Sequence, residues 1–196
     1  MRHSSLLTLV ALALLGWPSN AGAQERKGFW FDADFGAASI SASANGTNGS
    51  RTSTGIFGLA LGWAVTPRVL TGVDMRIVVL DVTGDVSGYA DVYNVTARVM
   101  YYLRPSSGFF VKGTIGGSFI DFDIDAQGTR LTANVSKGLG LGAGVGYDWY
   151  LGRGFSLTPA VTYWYGRTGD VRYIGQTLFT DWSHNVVDAT IGISFH

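Results

Sequence analysis

Polar and apolar residues alternate one by one along nearly the whole chain after Gly28. From Phe29 to Ala37 the odd positions read Phe, Phe, Ala, Phe, Ala, against Trp30, Asp32, Asp34 and Gly36. The odd positions of 55–65 read Gly, Phe, Leu, Leu, Trp, Val, and a third segment sets Val69, Val73, Met75, Ile77 and Val79 against Gly72, Asp74 and Arg76. A fourth runs from Tyr93 to Leu103 and a fifth from Phe109 to Phe119. In the sixth, Leu139, Leu141, Ala143, Val145, Tyr147, Trp149 and Leu151 face Gly138, Gly140, Gly142, Gly144, Gly146 and Asp148. The seventh runs from Phe155 to Tyr165 and the eighth from Val187 to Phe195. A period of two describes strands with one apolar face each, so the pattern predicts eight of them and no helix in this region.

The glycine run is not a phosphate loop. A dinucleotide fingerprint needs a strand, a tight turn and then a helix with its own period, whereas here the alternation continues without a break. Pro159, inside the seventh strand, cannot donate to a ladder and predicts a bulge or local break. Short connections near 66–68, 104–108 and 152–154 alternate with long polar ones near 40–53, 81–88, 121–132 and 166–182. That order predicts an all-β, eight-stranded antiparallel up-and-down barrel with short turns at one end and four longer loops at the other.

Composition then decides which face is outside. The chain has 28 glycines, 26 aromatic residues (11 Phe, 9 Tyr and 6 Trp), 14% charged residues and no cysteine. So few charges cannot cover a water-facing surface, and without disulfides stability rests on packing and hydrogen bonds. A soluble barrel would need Lys and Glu on its polar face, but that face carries mainly Gly, Ala, Ser and Thr. The bulky apolar set is also too large for the interior of eight strands. The odd residues therefore point outwards into lipid, where a Lys or Arg at the midplane would cost about 2–4 kcal/mol. Aromatic residues fall towards both strand ends, as two interfacial girdles would. Formal charge is balanced at 14 basic and 14 acidic residues, which gives no electrostatic case for nucleic acid.

Met1, Arg2 and His3, the apolar stretch Leu6–Leu15 and the Ala21-Gly22-Ala23 sequence predict a signal peptide over residues 1–23, cleaved before Gln24. The barrel domain is then 24–196.

With its AxA signal, the stretch "LGAGVGYDWYLGRGFSLTPAVTYWYG" (141–166) and the closing "VVDATIGISFH", the chain resembles the small bacterial outer-membrane β-barrel proteins of OmpA-like, OmpX-like and OmpW-like type. The resemblance covers residues 24–196 and implies an architecture, not an activity. It implies residence in the outer membrane of a Gram-negative-type cell, contact with outer-membrane lipids, and recognition by the outer-membrane assembly machinery through the last strand ending at Phe195. His196 follows that aromatic and departs from the family's terminal Phe. A monomer without a cofactor is expected.

Parity places Asp32, Asp34, Asp74, Arg76, Arg98, Lys112, Asp148 and Asp188 inside, where charges must be paired or hydrated. Asp34, Asp74, Arg76 and Arg98 fall at similar depth, and the small residues of the second strand would let the first and third strands meet. The five inward glycines, Gly138 to Gly146, leave room for bulky neighbours, Trp164 and Tyr102 being the candidates, with Trp164 preferred over Gly142. Serine at Gly142 is expected to be mild. An aqueous cavity is the alternative.

Ser183, His184 and Asn185, with Asp181 and Asp188, are the one constellation that could do acyl chemistry on lipid. Adjacent strand residues face opposite sides, however, so Ser183 and His184 are poorly placed as a pair. The expected role is non-enzymatic, either envelope support or surface binding through the external loops. A lipid A-modifying enzyme and a narrow path for a small apolar solute are the alternatives.

Overall fold

In a computed structural model, residues 26–82, 87–126, 129–173 and 176–196 are described. The expected signal segment, 1–23, lies outside them. The chain forms eight long strands: β1 (Gly28–Ala44), β2 (Thr52–Thr66), β3 (Val69–Val82), β4 (Ser87–Tyr102), β5 (Phe109–Ala126), β6 (Thr129–Tyr147), β7 (Phe155–Tyr173) and β8 (Gln176–Phe195). Each pairs antiparallel with its neighbours in sequence, and β1 pairs with β8 from Phe31↔Phe195 to Ser43↔Ser183. The sheet is therefore a closed barrel, which leaves no open edge.

Parity holds around the wall among the residues whose burial is described. Even-numbered residues of the spanning strands turn inwards and are mostly buried, while the odd ones form the outer face. Phe35, Leu61, Trp63, Ile115, Leu141 and Tyr163 are exposed there although apolar, and such a continuous belt marks a surface that a bilayer covers.

Local chemistry sets the short turns. Thr66 Oγ1 accepts from the amides of Arg68 and Val69 at 3.2 and 3.0 Å, closing the turn after β2. Gly152, Arg153 and Gly154 all adopt positive φ, so the β6–β7 connection depends on two glycines.

The opposite end differs from a ring of long loops. Asn45-Gly46, both at positive φ, make a two-residue hairpin turn between Ala44 and Thr47. Strands β5 and β6 stay paired as far as Ala126↔Thr129, and β7 and β8 as far as Tyr173↔Gln176. The segments 121–132 and 166–182 are thus largely strand. Past the belt the odd positions turn polar, as at Asp121, Asp123 and Asp125, but backbone pairing needs no apolar outer face and continues into water. The connection at 83–86 lies outside the described residues.

Pro159 produces a gap without a bulge. It pairs in unbroken register with Ile191 on β8, while the β6–β7 ladder stops at Gly146↔Ala160 and a short strand, Trp149–Gly152, resumes it at Trp149↔Leu157. Asp148 falls in that gap, and its amide donates to Gly108 O at 3.0 Å instead.

Leu141→Arg places a cation on the belt and should lower stability in phospholipid vesicles by about 2–4 kcal/mol if it lies near the midplane. The inward, conservative Thr190→Ser should change it little. Urea unfolding followed by tryptophan fluorescence checks both.

Candidate functional site

The interior is the candidate site, and it is layered. At the short-turn mouth Asp148 turns inwards from the ladder gap. Its carboxylate accepts from Tyr102 Oη at 2.7 Å and Thr158 Oγ1 at 2.9 Å, and lies 3.2 Å from His196 Nε2 and 3.6 Å from the Arg26 guanidinium. Arg26 also stacks over the Tyr102 ring, 3.5 Å from its centroid, and donates to Pro105 O and Ser107 O, both at 3.1 Å. Residues flanking the two strands that close the barrel therefore converge on one carboxylate. Above them Trp30, Ala60, Leu70, Met100, Tyr102 and Phe110 form an apolar layer.

The middle layer is ionic. Arg76 donates to Asp34 at 2.9 Å and lies 3.5 Å from Asp74 and 3.6 Å from Asp188. Arg98 donates to Asp32 at 3.0 Å and lies 3.4 Å from Asp74. Asp74 thus stands between both guanidinium groups. The flat face of β2 makes this possible, because Asp34 lies where a Cβ on Gly58 would be, 2.7 Å from Oδ1. Trp164 Nε1 donates to Asp188 at 2.8 Å and Ser194 Oγ to Asp32 at 3.1 Å. All these groups are buried, so each charge leans on its partners for what water would have supplied.

Two of the eight parity-assigned charges stand apart from this network. Asp148 serves the mouth. Lys112 is buried with its ammonium unpartnered by hydrogen bonds, its Cε 2.9 Å from where a Cβ on Gly144 would lie. Towards the outer end a second apolar layer, Ala38, Ile40, Ile56, Val78, Val92, Ile120, Trp164 and Val186, fills the bore.

Neighbouring side chains take up most of the glycine face. A Cβ on Gly142 would meet Trp164 Cε3 at 2.7 Å and Thr114 Oγ1 at 2.6 Å, so Trp164 fills the space above it. Serine there is consequently not mild, contrary to the expectation from alternation, which counts faces but not volumes. Tyr102 does not share the glycine face; it lies at the mouth with its ring 5.4 Å from Phe110. Phe110, which alternation alone does not single out, packs on Gly146. Gly140 faces Asn94 and Ser118, and Gly138 allows close approach of the Arg167 carbonyl.

The Ser183 group does not assemble. His184 points inwards and is buried, whereas Asn185 lies on the outer face and accepts from Tyr163 Oη at 2.6 Å. Asp181 pairs with Arg167 on the surface at 2.8 Å, and Asp188 belongs to the ionic layer. His184 Nε2 instead lies 3.4 Å from Ser118 Oγ on β5. The two meet across strands β6 and β7 because the residues between them are Gly138, Gly140 and Gly166. The serine is 0% exposed and the histidine 1%, so no substrate in lipid or water reaches them as packed. Among the described residues no group of three His, Cys, Asp or Glu could hold a metal ion.

No protein-family model matches the chain, and no curated protein matches it in sequence. Solved structures do match. Neisserial surface protein A is 19% identical, with a TM-score of 0.58 over 88% of this chain and 99% of that one. The attachment invasion locus protein Ail of Yersinia pestis, solved with the heparin analogue sucrose octasulfate, is 13% identical, with a TM-score of 0.59 over 86% of this chain and 99% of that one. The fold is that of the small bacterial outer-membrane β-barrel proteins.

Two measurements test the packing. Gly142→Ala should destabilise by about 1–3 kcal/mol, and Trp164→Ala in the same chain should recover part of that loss in a double-mutant cycle. Asp148→Ala should cost about 3–5 kcal/mol, because it leaves the buried Arg26 without its carboxylate, and His196→Ala should cost less. Urea midpoints in vesicles give both values.

Proposed function

We propose that the protein is a non-enzymatic outer-membrane barrel, exported with removal of residues 1–23, that works through the strands projecting beyond its lipid belt. The observation that carries this reading is the filled bore. An ionic layer lies between two apolar layers, and the mouth is closed by Asp148 and its partners. A wall this well packed favours anchorage and surface contact over transport of solute.

The outer strand extensions supply the contact surface. Strand β8 is 20 residues long, about twice what a tilted strand needs to cross a bilayer. Segments 40–54, 80–92, 120–138 and 166–185 together hold eight aspartates against five arginines and lysines. A partner that is basic or neutral fits this balance better than a sulfated polyanion of the kind Ail holds.

Catalysis on lipid is disfavoured by the separation of Ser183 from His184 and by the enclosure of His184 and Ser118. Lipid A extracted from cells with the protein, without it, and with His184→Ala should have identical acyl chains by mass spectrometry. A protein-dependent gain or loss of one chain that disappears in the variant would refute the non-enzymatic reading. Purified barrel in a planar bilayer should give no steady conductance. The mature chain isolated from the outer-membrane fraction should begin at Gln24.

A further inference from the structure

The three short turns share a composition that the packing does not require. Each carries one exposed arginine: Arg68 between β2 and β3, Arg104 between β4 and β5, and Arg153 between β6 and β7. Lys27, exposed just before β1, lies at the same end. Residues 66–69, 103–109 and 149–154 contain no aspartate or glutamate. Asp148, which directly precedes the last of these segments, is turned inwards and buried.

Each arginine also comes shortly after an outward apolar side chain. Val65 precedes Arg68 by three residues, Leu103 stands directly before Arg104, and Leu151 precedes Arg153 by two; all three are more than half exposed, at 64%, 52% and 64%. Trp63, Tyr101 and Phe155 complete the aromatic girdle at this level. An apolar side chain at the edge of the hydrocarbon fixes the depth of its neighbours in the turn, so the guanidinium groups stand among lipid headgroups. A guanidinium is planar, always charged and matched to phosphate in two-point hydrogen bonding. The opposite end of the barrel has the reverse charge balance, with acid exceeding base.

We infer that Arg68, Arg104 and Arg153 form a ring that binds the phosphates of anionic phospholipids in the leaflet facing the short turns. The ring holds the barrel at a fixed depth and distinguishes its two ends. A soluble polyanion or a cell-wall carboxylate would be served by the arginines alone, whereas only a lipid uses the apolar residue beside each of them. The inference rests on the membrane-spanning reading of the barrel.

Brominated lipids quench tryptophans at the belt, and Trp63 and Trp149 lie close to these turns. The mature chain, residues 24–196, would be refolded into vesicles of phosphatidylcholine with a fraction of brominated phosphatidylcholine or brominated phosphatidylglycerol. At low ionic strength the brominated phosphatidylglycerol should quench more strongly, with a relative association constant at least about fivefold higher, the contribution of roughly one well-placed basic residue. The preference should vanish in Arg68→Gln/Arg104→Gln/Arg153→Asn, where asparagine keeps the positive φ of the last turn, and should fade at about 0.5 M salt. Equal quenching by the two lipids in the wild type, or a preference that survives in the triple variant, would overturn the ring while leaving the membrane reading intact. So would arginine-dependent co-sedimentation with peptidoglycan in a barrel with no lipid preference. Quenching by neither lipid would overturn both readings.

Discussion

Closure of the β1–β8 ladder is the constraint on which the rest depends. Once eight strands join into a ring, the backbone groups of the spanning part pair within the wall except at the Pro159 gap, and only such closure lets strands cross a bilayer. Closure also fixes the bore, which at eight strands is just wide enough to be filled by side chains. The interior therefore has to fit in volume and charge, while the outside has only to be apolar.

Volume is solved by pairing bare strands with bulky ones. Strand β6 gives up its side chains so that Trp164 and Phe110 can lie against it, and Gly58 on β2 leaves room for Asp34 to reach Arg76 from β1. Charge is solved across strands as well. Asp74 lies between two arginines on neighbouring strands, and Asp188 joins from β8 on the far side of β1 and β2. The contacts of Arg76 with Asp34 and Asp188 tie together strands that share no ladder, so they resist shear of the wall as well as opening of the bore.

The two ends are built for different neighbours. At the short-turn end a buried carboxylate gathers Arg26 and His196, which flank the two strands of the seam, while exposed arginines face outwards. At the other end paired strands continue past the apolar belt and carry an acidic excess. A barrel with this polarity presents a different chemistry to each side of the membrane in which it sits.

The sequence by itself determined the number of strands, their order and the face each turns to lipid, because a period of two is a local property that a closed antiparallel ladder preserves from end to end. It also placed Asp34, Asp74, Arg76 and Arg98 at one depth, since depth along a strand is counted in residues. Only the tertiary structure decided which side chain fills which gap. Trp164 rather than Tyr102 occupies the space over Gly142, the Lys112 ammonium makes no hydrogen bond to the ionic layer, and Asp148 becomes the hub of the mouth. It likewise brought Ser118 to His184 across two intervening strands and carried the outer hairpins well past the alternating segments that end at Phe119 and Tyr165. These are matters of volume and of distance across the bore, and alternation along a strand carries no information about the residue that stands opposite.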